Sequence, residues 1–441
     1  MPLRTPELQL DDDRAIAGLA WYAQRKPVYT GGNQVTLLRG GAALFPAMKA
    51  AIDGARHAVW VACYMVSDQG EPAQVLQAMR LAARRGVKVY LVMDGVGSGE
   101  ASEHLLADLG KAGVHVTIYR PFHKLWGLFD ASQWRRMHMK LCVVDEAVAF
   151  VGGINLIDDR YDLDHGWSEA PRLDYAVQLK GPVVTPVLHT IRAMWTRAQF
   201  GRDWRDDVSQ WLQDHHKVAR LKRLVQQARL RLTPGEMGRV AQGVAERQPM
   251  RLAFVLRDNL RQRRTIEKAA LQAMAQARER IDIVTPYFFP RRAVRLALRH
   301  AAARGVKVRL LLQGKVDHAL AGIVAKVLYW ELQLHGVQVW EYQPAFLHAK
   351  VLCVDDEWAT VGSSNLDPLS LVLNLEANVI IRDRGFVRTL QAALSEDFAN
   401  SREVPRLQPA AASAWNKGLG RKVVAAFAKV YLWLAGAGSR Y

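Results

Sequence analysis

The sequence predicts an α/β fold made of two tandem α/β/α sandwich domains related by pseudo-twofold symmetry. One observation is an internal duplication, in which three segments recur in the same order about 210 to 220 residues further along the chain. The matching pairs are 83–91 with 302–310, 112–116 with 335–339, and 138–145 with 348–355. The other observation is that helical and strand-like segments alternate within each copy. Three matches in series indicate two copies of one domain.

The elements of the first copy follow from the spacing of their apolar residues. The spacing over 42–54 predicts a helix, and the β-branched and aromatic run over 58–64 predicts a strand. A second helix over 72–85 should end at Gly86, a typical C-cap, before a strand over 87–93.

The second copy repeats this order. We expect a helix over 265–277, a strand over 281–285, a helix ending at Arg304 and a strand from Val306. Because strands and helices alternate at this length, we predict a mainly parallel core sheet in each domain.

The domain boundaries are predicted from composition. Residues 1–202 and 250–405 form the two similar domains, and the basic, polar segment 203–249 reads as a helical linker. The tail, 406–441, contains an apolar stretch over 423–437 that is too short to span a bilayer. That stretch suits a helix on a membrane surface or a helix docked on the core, and both remain open.

Charge and cysteine content narrow the partners and the compartment. The net charge of +18 indicates a polyanionic partner, either nucleic acid or an anionic membrane surface. Three scattered cysteines, expected as buried strand thiols, indicate a reducing compartment. Asp11–Asp13 stand where a signal peptide would need apolar residues, and no apolar run of about 18 residues exists. We therefore expect a cytoplasmic protein that is soluble or peripheral to the membrane.

Both copies carry the same set of polar residues. A His-x-Lys pair is followed at fixed distances by Asp, Gly and Asn; the sets are His138, Lys140, Asp145, Gly152 and Asn155, and His348, Lys350, Asp355, Gly362 and Asn365. If a strand runs from His to Asp, its period of two places the imidazole and the ammonium on one face. Lysine and asparagine bind phosphoryl oxygens, and histidine can attack phosphorus or transfer a proton. Pseudo-twofold symmetry would bring the two sets face to face across one pocket.

This duplicated pattern resembles the phospholipase D superfamily with its paired HKD motifs, and within it the bacterial cardiolipin synthases of the B type. The resemblance covers about residues 30 to 400. It is supported most clearly by the segments 257–259, 286–290, 358–370 and 373–380.

The resemblance implies a phosphatidyltransferase that needs no metal or cofactor. It would convert two phosphatidylglycerol molecules into cardiolipin and glycerol through a phosphohistidine, with His138 as nucleophile and His348 as acid and base. The other implied roles are phosphoryl binding by Lys140, Lys350, Asn155, Asn365 and Ser363, and orientation of the histidines by Asp174 and Glu376. Asp145 and Asp355 complete the catalytic motifs, and we expect them to anchor neighbouring loops.

The sequence departs from a symmetric pattern and leaves alternatives. Gly153 stands where the second motif has Ser363, so a hydroxyl is present only once. The transmembrane helices of the main cardiolipin synthases are missing, as in the B type, so we expect peripheral binding to the inner membrane. The insertion 122–134, rich in aromatic and basic residues, would enter lipid or pack on the domain.

Three other functions compete with cardiolipin synthesis. A phospholipase D that releases phosphatidic acid shares the chemistry, because water can replace the acceptor. An HKD nuclease would suit the charge, but the aromatic residues lie in apolar clusters rather than along a basic groove. An inactive lipid-binding scaffold is disfavoured because both motifs are intact.

Overall fold

The computed structural model describes most of both predicted domains. The described residues are 26–99, 101–121, 136–162, 166–200, 250–258, 262–286, 288, 290–315, 329–365 and 374–405. The predicted linker 203–249, the insertion 122–134 and the tail 406–441 lie outside them, as do residues 259, 287, 289 and 366–373. The domain boundaries that depend on these segments stay predictions.

The first half contains a seven-stranded sheet in the order β1-β9-β6-β5-β2-β3-β4, with a separate short hairpin, β7–β8. Its strands are β1 (Gln34–Arg39), β2 (Ala58–Cys63), β3 (Lys88–Asp94), β4 (His115–Tyr119), β5 (Lys140–Val144), β6 (Val148–Gly152), β7 (Tyr161–Asp162), β8 (Gly166–Trp167) and β9 (Tyr175–Lys180). Its helices are α1 (Gly41–Asp53), α2 (Ala73–Arg84), α3 (Ala101–Lys111) and α4 (Val184–Phe200).

The second half repeats this arrangement in an eight-stranded sheet, ordered β10-β16-β15-β14-β11-β12-β13-β17. Its strands are β10 (Arg251–Arg257), β11 (Arg280–Val284), β12 (Lys307–Gln313), β13 (Gln338–Tyr342), β14 (Val351–Val354), β15 (Trp358–Gly362), β16 (Glu376–Arg382) and β17 (Ser401–Glu403). Its helices are α5 (Thr265–Gln276), α6 (Arg292–Ala303) and α7 (Arg384–Ala399). Strand for strand, the order from β10 to β13 matches the order from β1 to β4, which confirms the predicted duplication.

The predicted helices and strands are confirmed to within about two residues at their ends. Gly86 and Gly305 follow helices α2 and α6 with φ values of 89° and 87°, a left-handed conformation that favours glycine. The same turn therefore links helix to strand in both halves. Cys63, Cys142 and Cys353 are free thiols buried in strands, as expected.

The prediction of a mainly parallel sheet is wrong. Among the described strands of the first sheet, only β2–β3 and β3–β4 pair in parallel, while β1–β9, β9–β6, β6–β5 and β5–β2 are antiparallel. The reason is local: tight turns after Val144 and Val354 join β5 to β6 and β14 to β15 as hairpins. Each sheet is therefore mixed, with the motif strand antiparallel to its neighbours on both sides.

The two halves share one central core. Helices α1 to α3 cover the outer face of the first sheet, and α5 and α6 cover that of the second. The inner faces contribute to a single apolar cluster with α4 and α7, in which Ile191 of α4 and Leu390 of α7 are fully buried. Truncating such a side chain to alanine typically costs about 2–5 kcal/mol. Because this cluster contains residues of both halves, packing fixes how the motifs face each other.

Within the described stretches, none of the helices combines the length and the apolar character needed to cross a membrane.

Candidate active site

Each motif histidine is held by a backbone segment from the other half of the molecule. The residue before His138 forms a parallel β-bridge with Leu375, and the backbone N–H of His138 donates to the carbonyl of Leu375 at 3.0 Å. The related bridge joins the residue before His348 to Leu173, whose carbonyl accepts from the His348 N–H at 2.8 Å. The expected strand from His to Asp is thus shorter than predicted, because β5 begins at Lys140 and β14 at Val351.

Two buried carboxylates pair with the histidines across the same interface. Glu376 lies 3.1 Å from Nδ1 of His138, and Asp174 lies 2.7 Å from Nδ1 of His348. Both carboxylates are fully buried. The bridges explain why each carboxylate pairs with the histidine of the other half, because each carboxylate residue directly follows the leucine that holds that histidine. With Nδ1 engaged, Nε2 is the nitrogen left for a substrate.

The two imidazoles face each other at one site. Their ring centroids are 6.3 Å apart and their planes differ by 70°. One phosphoryl group between them fits this separation, because reacting atoms approach to about 3–3.5 Å before a bond forms. Burial and the lysine ammonium groups lower the pKa of His138. The pKa of His348 is lowered further by burial, by the lysines and by Arg172.

The motif lysines are buried beside the histidines. Lys140 Nζ donates to the carbonyl of His138 at 2.6 Å, and Lys350 Nζ donates to the carbonyl of His348. Burial lowers the pKa of Lys140 to about 8 and that of Lys350 to about 7, against the attraction of the two carboxylates. An arriving phosphate would favour the cationic form of both lysines.

The motif asparagines are held by equivalent strand ends. Asn155 Oδ1 accepts from the backbone N–H of Met65 at 3.3 Å and lies 3.9 Å from the thiol of Cys63. Asn365 Oδ1 accepts from the hydroxyl of Thr285 at 3.4 Å. In each carboxamide the oxygen is bound to protein, an orientation that suits the amino group for donation to a phosphoryl oxygen.

Ser363 lies against Glu376 in the structure. Its fully buried hydroxyl donates to Glu376 Oε2 at 2.6 Å and accepts from the backbone N–H of Ala377 at 3.1 Å. At the equivalent Gly153 a Cβ atom would come under 3.0 Å from the carboxylate of Asp174. The hydroxyl expected to bind phosphate therefore contacts the carboxylate that pairs with His138.

Asp145 and Asp355 lie at the far ends of their strands from the lysines. The Asp145 carboxylate accepts three backbone N–H groups, from residues 56–58, at 2.7–2.8 Å. Asp355 accepts the equivalent three, from residues 278–280, at 2.9–3.0 Å. These contacts fit the expected anchoring role, and a direct part of the two aspartates in catalysis stays a prediction.

Two residues that the sequence reading missed hold the histidine segments. Asp94 Oδ2 accepts the backbone N–H of Met137 at 2.9 Å, and Gln313 Oε1 accepts that of Leu347 at 2.7 Å. They occupy the last positions of β3 and β12, and polar residues at the carboxyl ends of parallel strands are a usable signal. Burial raises the pKa of Asp94 to about 6.

Tyr64 was also missed, and it is present only in the first half. Its ring lies edge-on to His138 with centroids 5.0 Å apart, and Lys140 Nζ lies 5.2 Å from the ring centroid. Pro286 occupies the equivalent position after β11. The surroundings of the two histidines therefore differ in packing as well as in charge.

Comparison with known proteins places this geometry in a family. The family model described as "Cardiolipin synthase, PLD-like domain" matches residues 48–166 and 270–398, one stretch in each half. Cardiolipin synthase B of Escherichia coli strain K12 is 37% identical over 369 residues, which cover 82% of this chain and 80% of the relative. The chain belongs to the cardiolipin synthase family of phospholipase D-like proteins.

Other relatives are consistent with this family. Cardiolipin synthase A of Pseudomonas putida strain KT2440 is 32% identical over 372 residues, covering 84% of this chain and 69% of the relative. Among solved structures, the phosphatidylserine synthase of Haemophilus influenzae has a TM-score of 0.61 at 13% identity, and the match covers 97% of this chain and all of the other. That last likeness supports the fold alone.

Proposed function

We propose that this chain is a cardiolipin synthase that transfers a phosphatidyl group from one phosphatidylglycerol to another and releases glycerol. The observation that carries the proposal is the pair of histidines 6.3 Å apart, each with its Nδ1 bound to a carboxylate of the other half. Family membership supplies the substrate class, and the paired imidazoles supply a nucleophile and a proton carrier for one phosphodiester.

In the first step, Nε2 of His138 attacks the donor phosphorus and the bond from phosphorus to the glycerol oxygen breaks. His348 gives its Nε2 proton to that oxygen, so free glycerol leaves. The buried Glu376 stabilises the positive charge that develops on His138. Asp174 and the negative phosphodiester favour the protonated form of His348, against Lys350 and Arg172, which lower its pKa.

In the second step, the acceptor phosphatidylglycerol takes the place of glycerol. Neutral His348 removes the proton from the acceptor hydroxyl, whose oxygen attacks phosphorus as the bond to His138 Nε2 breaks. Lys140, Lys350 and the asparagine amides stabilise the phosphoryl oxygens in both transition states. The reaction ends with cardiolipin and with both histidines in their starting forms.

We also propose that the enzyme acts at the membrane surface as a peripheral protein. The net charge of +18 would attract it to anionic phospholipid. This attraction should weaken as salt screens it.

The test is product analysis with the purified full chain and vesicles of phosphatidylglycerol labelled in the headgroup glycerol. We expect one labelled glycerol released for each cardiolipin formed, and no product from the His138→Ala, His348→Ala double variant. Phosphatidic acid in place of cardiolipin would make the enzyme a hydrolase. Absence of any lipid product, together with cleavage of DNA, would replace the proposal with a nuclease.

A further inference from the structure

The connection between the motif asparagine and the carboxylate differs between the halves. From Asn155 to Asp174 it is eight residues longer than from Asn365 to Glu376. The extra length contains the hairpin β7–β8, in which Tyr161 pairs with Trp167. The longer connection of the first half therefore carries a hairpin close to the active site.

This hairpin carries an aromatic pair, in which Trp167 is exposed and Tyr161 is half-buried. Trp167 is 60% exposed, more than any other large apolar side chain in the described part of the chain, where Leu334 and Leu81 follow at 45% and 41%. Its ring lies 5.4 Å from that of Tyr161, centroid to centroid. Trp167 therefore offers a large apolar surface, and its burial against a partner would be favourable.

Arg172 fastens the hairpin to the rim of the active site. Its guanidinium donates to the carbonyl of Tyr161 at 3.0 Å and to the carboxylate of Asp162 at 3.2 Å. Arg172 lies two residues before Asp174, and its charge acts on both His348 and Lys350. The aromatic pair is thus fixed relative to the reacting groups.

We propose that Tyr161 and Trp167 form a membrane-contact surface that enters the headgroup layer of the bilayer and holds the active site over its lipid substrate. The inference rests on the proposed function, because a phosphodiester of a membrane lipid lies at the bilayer surface, where the histidines must reach it. Tryptophan and tyrosine favour this layer, since each has an apolar body and a polar tip.

The aromatic rings, rather than charge, carry this contact. Exposed Arg160 and Glu169 flank the hairpin with opposite charges, so the local charge gives little attraction to anionic lipid. The general basic charge of the chain would bring the protein to the surface, and the hairpin would set its orientation. A second protein is the competing occupant, and it is disfavoured by the position of the hairpin beside a site that acts on lipid.

The experiment compares Trp167→Ala with the wild type on two forms of phosphatidylglycerol: long-chain lipid in vesicles and short-chain lipid dispersed as monomers. Vesicle sedimentation measures binding, and product formation measures activity. We expect binding to vesicles to weaken about tenfold, because the variant loses the burial of one large aromatic side chain. Activity should fall several-fold more on vesicles than on monomers, and Trp167→Tyr should restore most of the loss.

Leu334→Ala is the matched control. Leu334 is also exposed, but it lies just before the first residue of β13, whereas the histidine segment is held at the carboxyl end of the parallel strand β12. Its loss should therefore alter neither measurement. Equal losses of Trp167→Ala on vesicles and monomers, or unchanged binding to vesicles, would overturn the proposal. Dissociation of a lipid-free oligomer in Trp167→Ala would assign the surface to a second copy. If the wild type binds vesicles but makes no lipid product, the proposed function fails while the binding comparison still stands.

Discussion

The two halves have the same strand order and the same histidine, lysine and asparagine, yet they surround their histidines differently. The differences are Glu376 against Asp174, Ser363 against Gly153, Gln313 against Asp94, Thr285 against Cys63, and Pro286 against Tyr64. The repeated backbone brings two identical side chains to one phosphorus. The unequal surroundings are what allow identical side chains to take different roles.

Charge shows the inequality most clearly. Burial would raise the pKa of Glu376, but His138, Lys140 and Ser363 together lower it, so Glu376 is anionic at neutral pH. Burial raises the pKa of Asp174 to about 7, in spite of Lys350. His138 therefore has a permanently charged partner, which suits the residue that becomes bonded to phosphorus. The partner of His348 is Asp174, whose pKa near neutrality lets this pair gain and lose a proton readily.

The largest effect on activity is expected when either histidine is removed. His138→Ala and His348→Ala should each lower kcat at least about 10³-fold, because one removes the nucleophile and the other the proton carrier. Turnover of labelled phosphatidylglycerol measures this.

The two variants should differ in what they trap. With donor lipid labelled in its phosphate, rapidly denatured His348→Ala should retain label and His138→Ala should not. The opposite pattern would exchange the roles of the two histidines, and unchanged turnover in either variant would remove that histidine from the chemistry.

Sequence-based prediction identified the fold class, the duplication and the repeated histidines, lysines and asparagines, because these have local signals: helical spacing, apolar strand runs and a twice-repeated motif. It missed Tyr64, which lies against His138 and has no counterpart in the second copy. It did not identify which carboxylate holds which histidine. That pairing depends on the β-bridges at Leu375 and Leu173, which join residues of different halves. It also mistook the sheet for mainly parallel, because apolar runs at β5 and β6 give no information on strand direction.

The next largest effect should come from exchanging the residues after the motif glycines. In Gly153→Ser the new Cβ would overlap Asp174 and displace it from His348, so we expect kcat to fall about 10²-fold. Ser363→Gly introduces no clash; it removes the hydroxyl that donates to Glu376 and accepts from the Ala377 N–H, and should lower kcat about tenfold. Steady-state kinetics, with urea unfolding to confirm that each variant folds, measure both. Equal effects would show that the two halves tolerate change at this position alike.

A smaller effect on activity, but a distinct one on stability, is expected from Asp94→Asn. The amide still accepts the Met137 N–H, as Gln313 does for Leu347, so kcat should stay within about threefold of the wild type. Asp94→Leu removes the acceptor and should lower kcat about tenfold. A similar loss in both variants would mean that the charge of Asp94, rather than its hydrogen bond, positions the histidine segment.

The stability of Asp94→Asn should depend on pH relative to the wild type. The folded pKa of Asp94, about 6, is raised above its ordinary value of 3.8, so between these values the unfolded chain releases a proton that the folded protein keeps. Wild-type stability falls as pH rises through this window, and the asparagine variant avoids that loss. We expect the free energy of unfolding of the variant, relative to that of the wild type, to increase by up to about 3 kcal/mol between pH 4 and pH 7, as measured by urea unfolding. A difference that does not change with pH would place the Asp94 pKa near its ordinary value.

The smallest effect should come from giving the two motif asparagines the same neighbouring side chain. Cys63 and Thr285 occupy the same position at the ends of β2 and β11, and each contacts the motif asparagine of its own half. In Cys63→Thr a hydroxyl replaces the thiol beside Asn155, so kcat should remain within about threefold of the wild type. Cys63→Val keeps the size but offers no polar contact, and should lower kcat about fivefold. If both variants matched the wild type, the backbone N–H of Met65 alone would hold Asn155, and the two halves would differ in how firmly each asparagine is fixed.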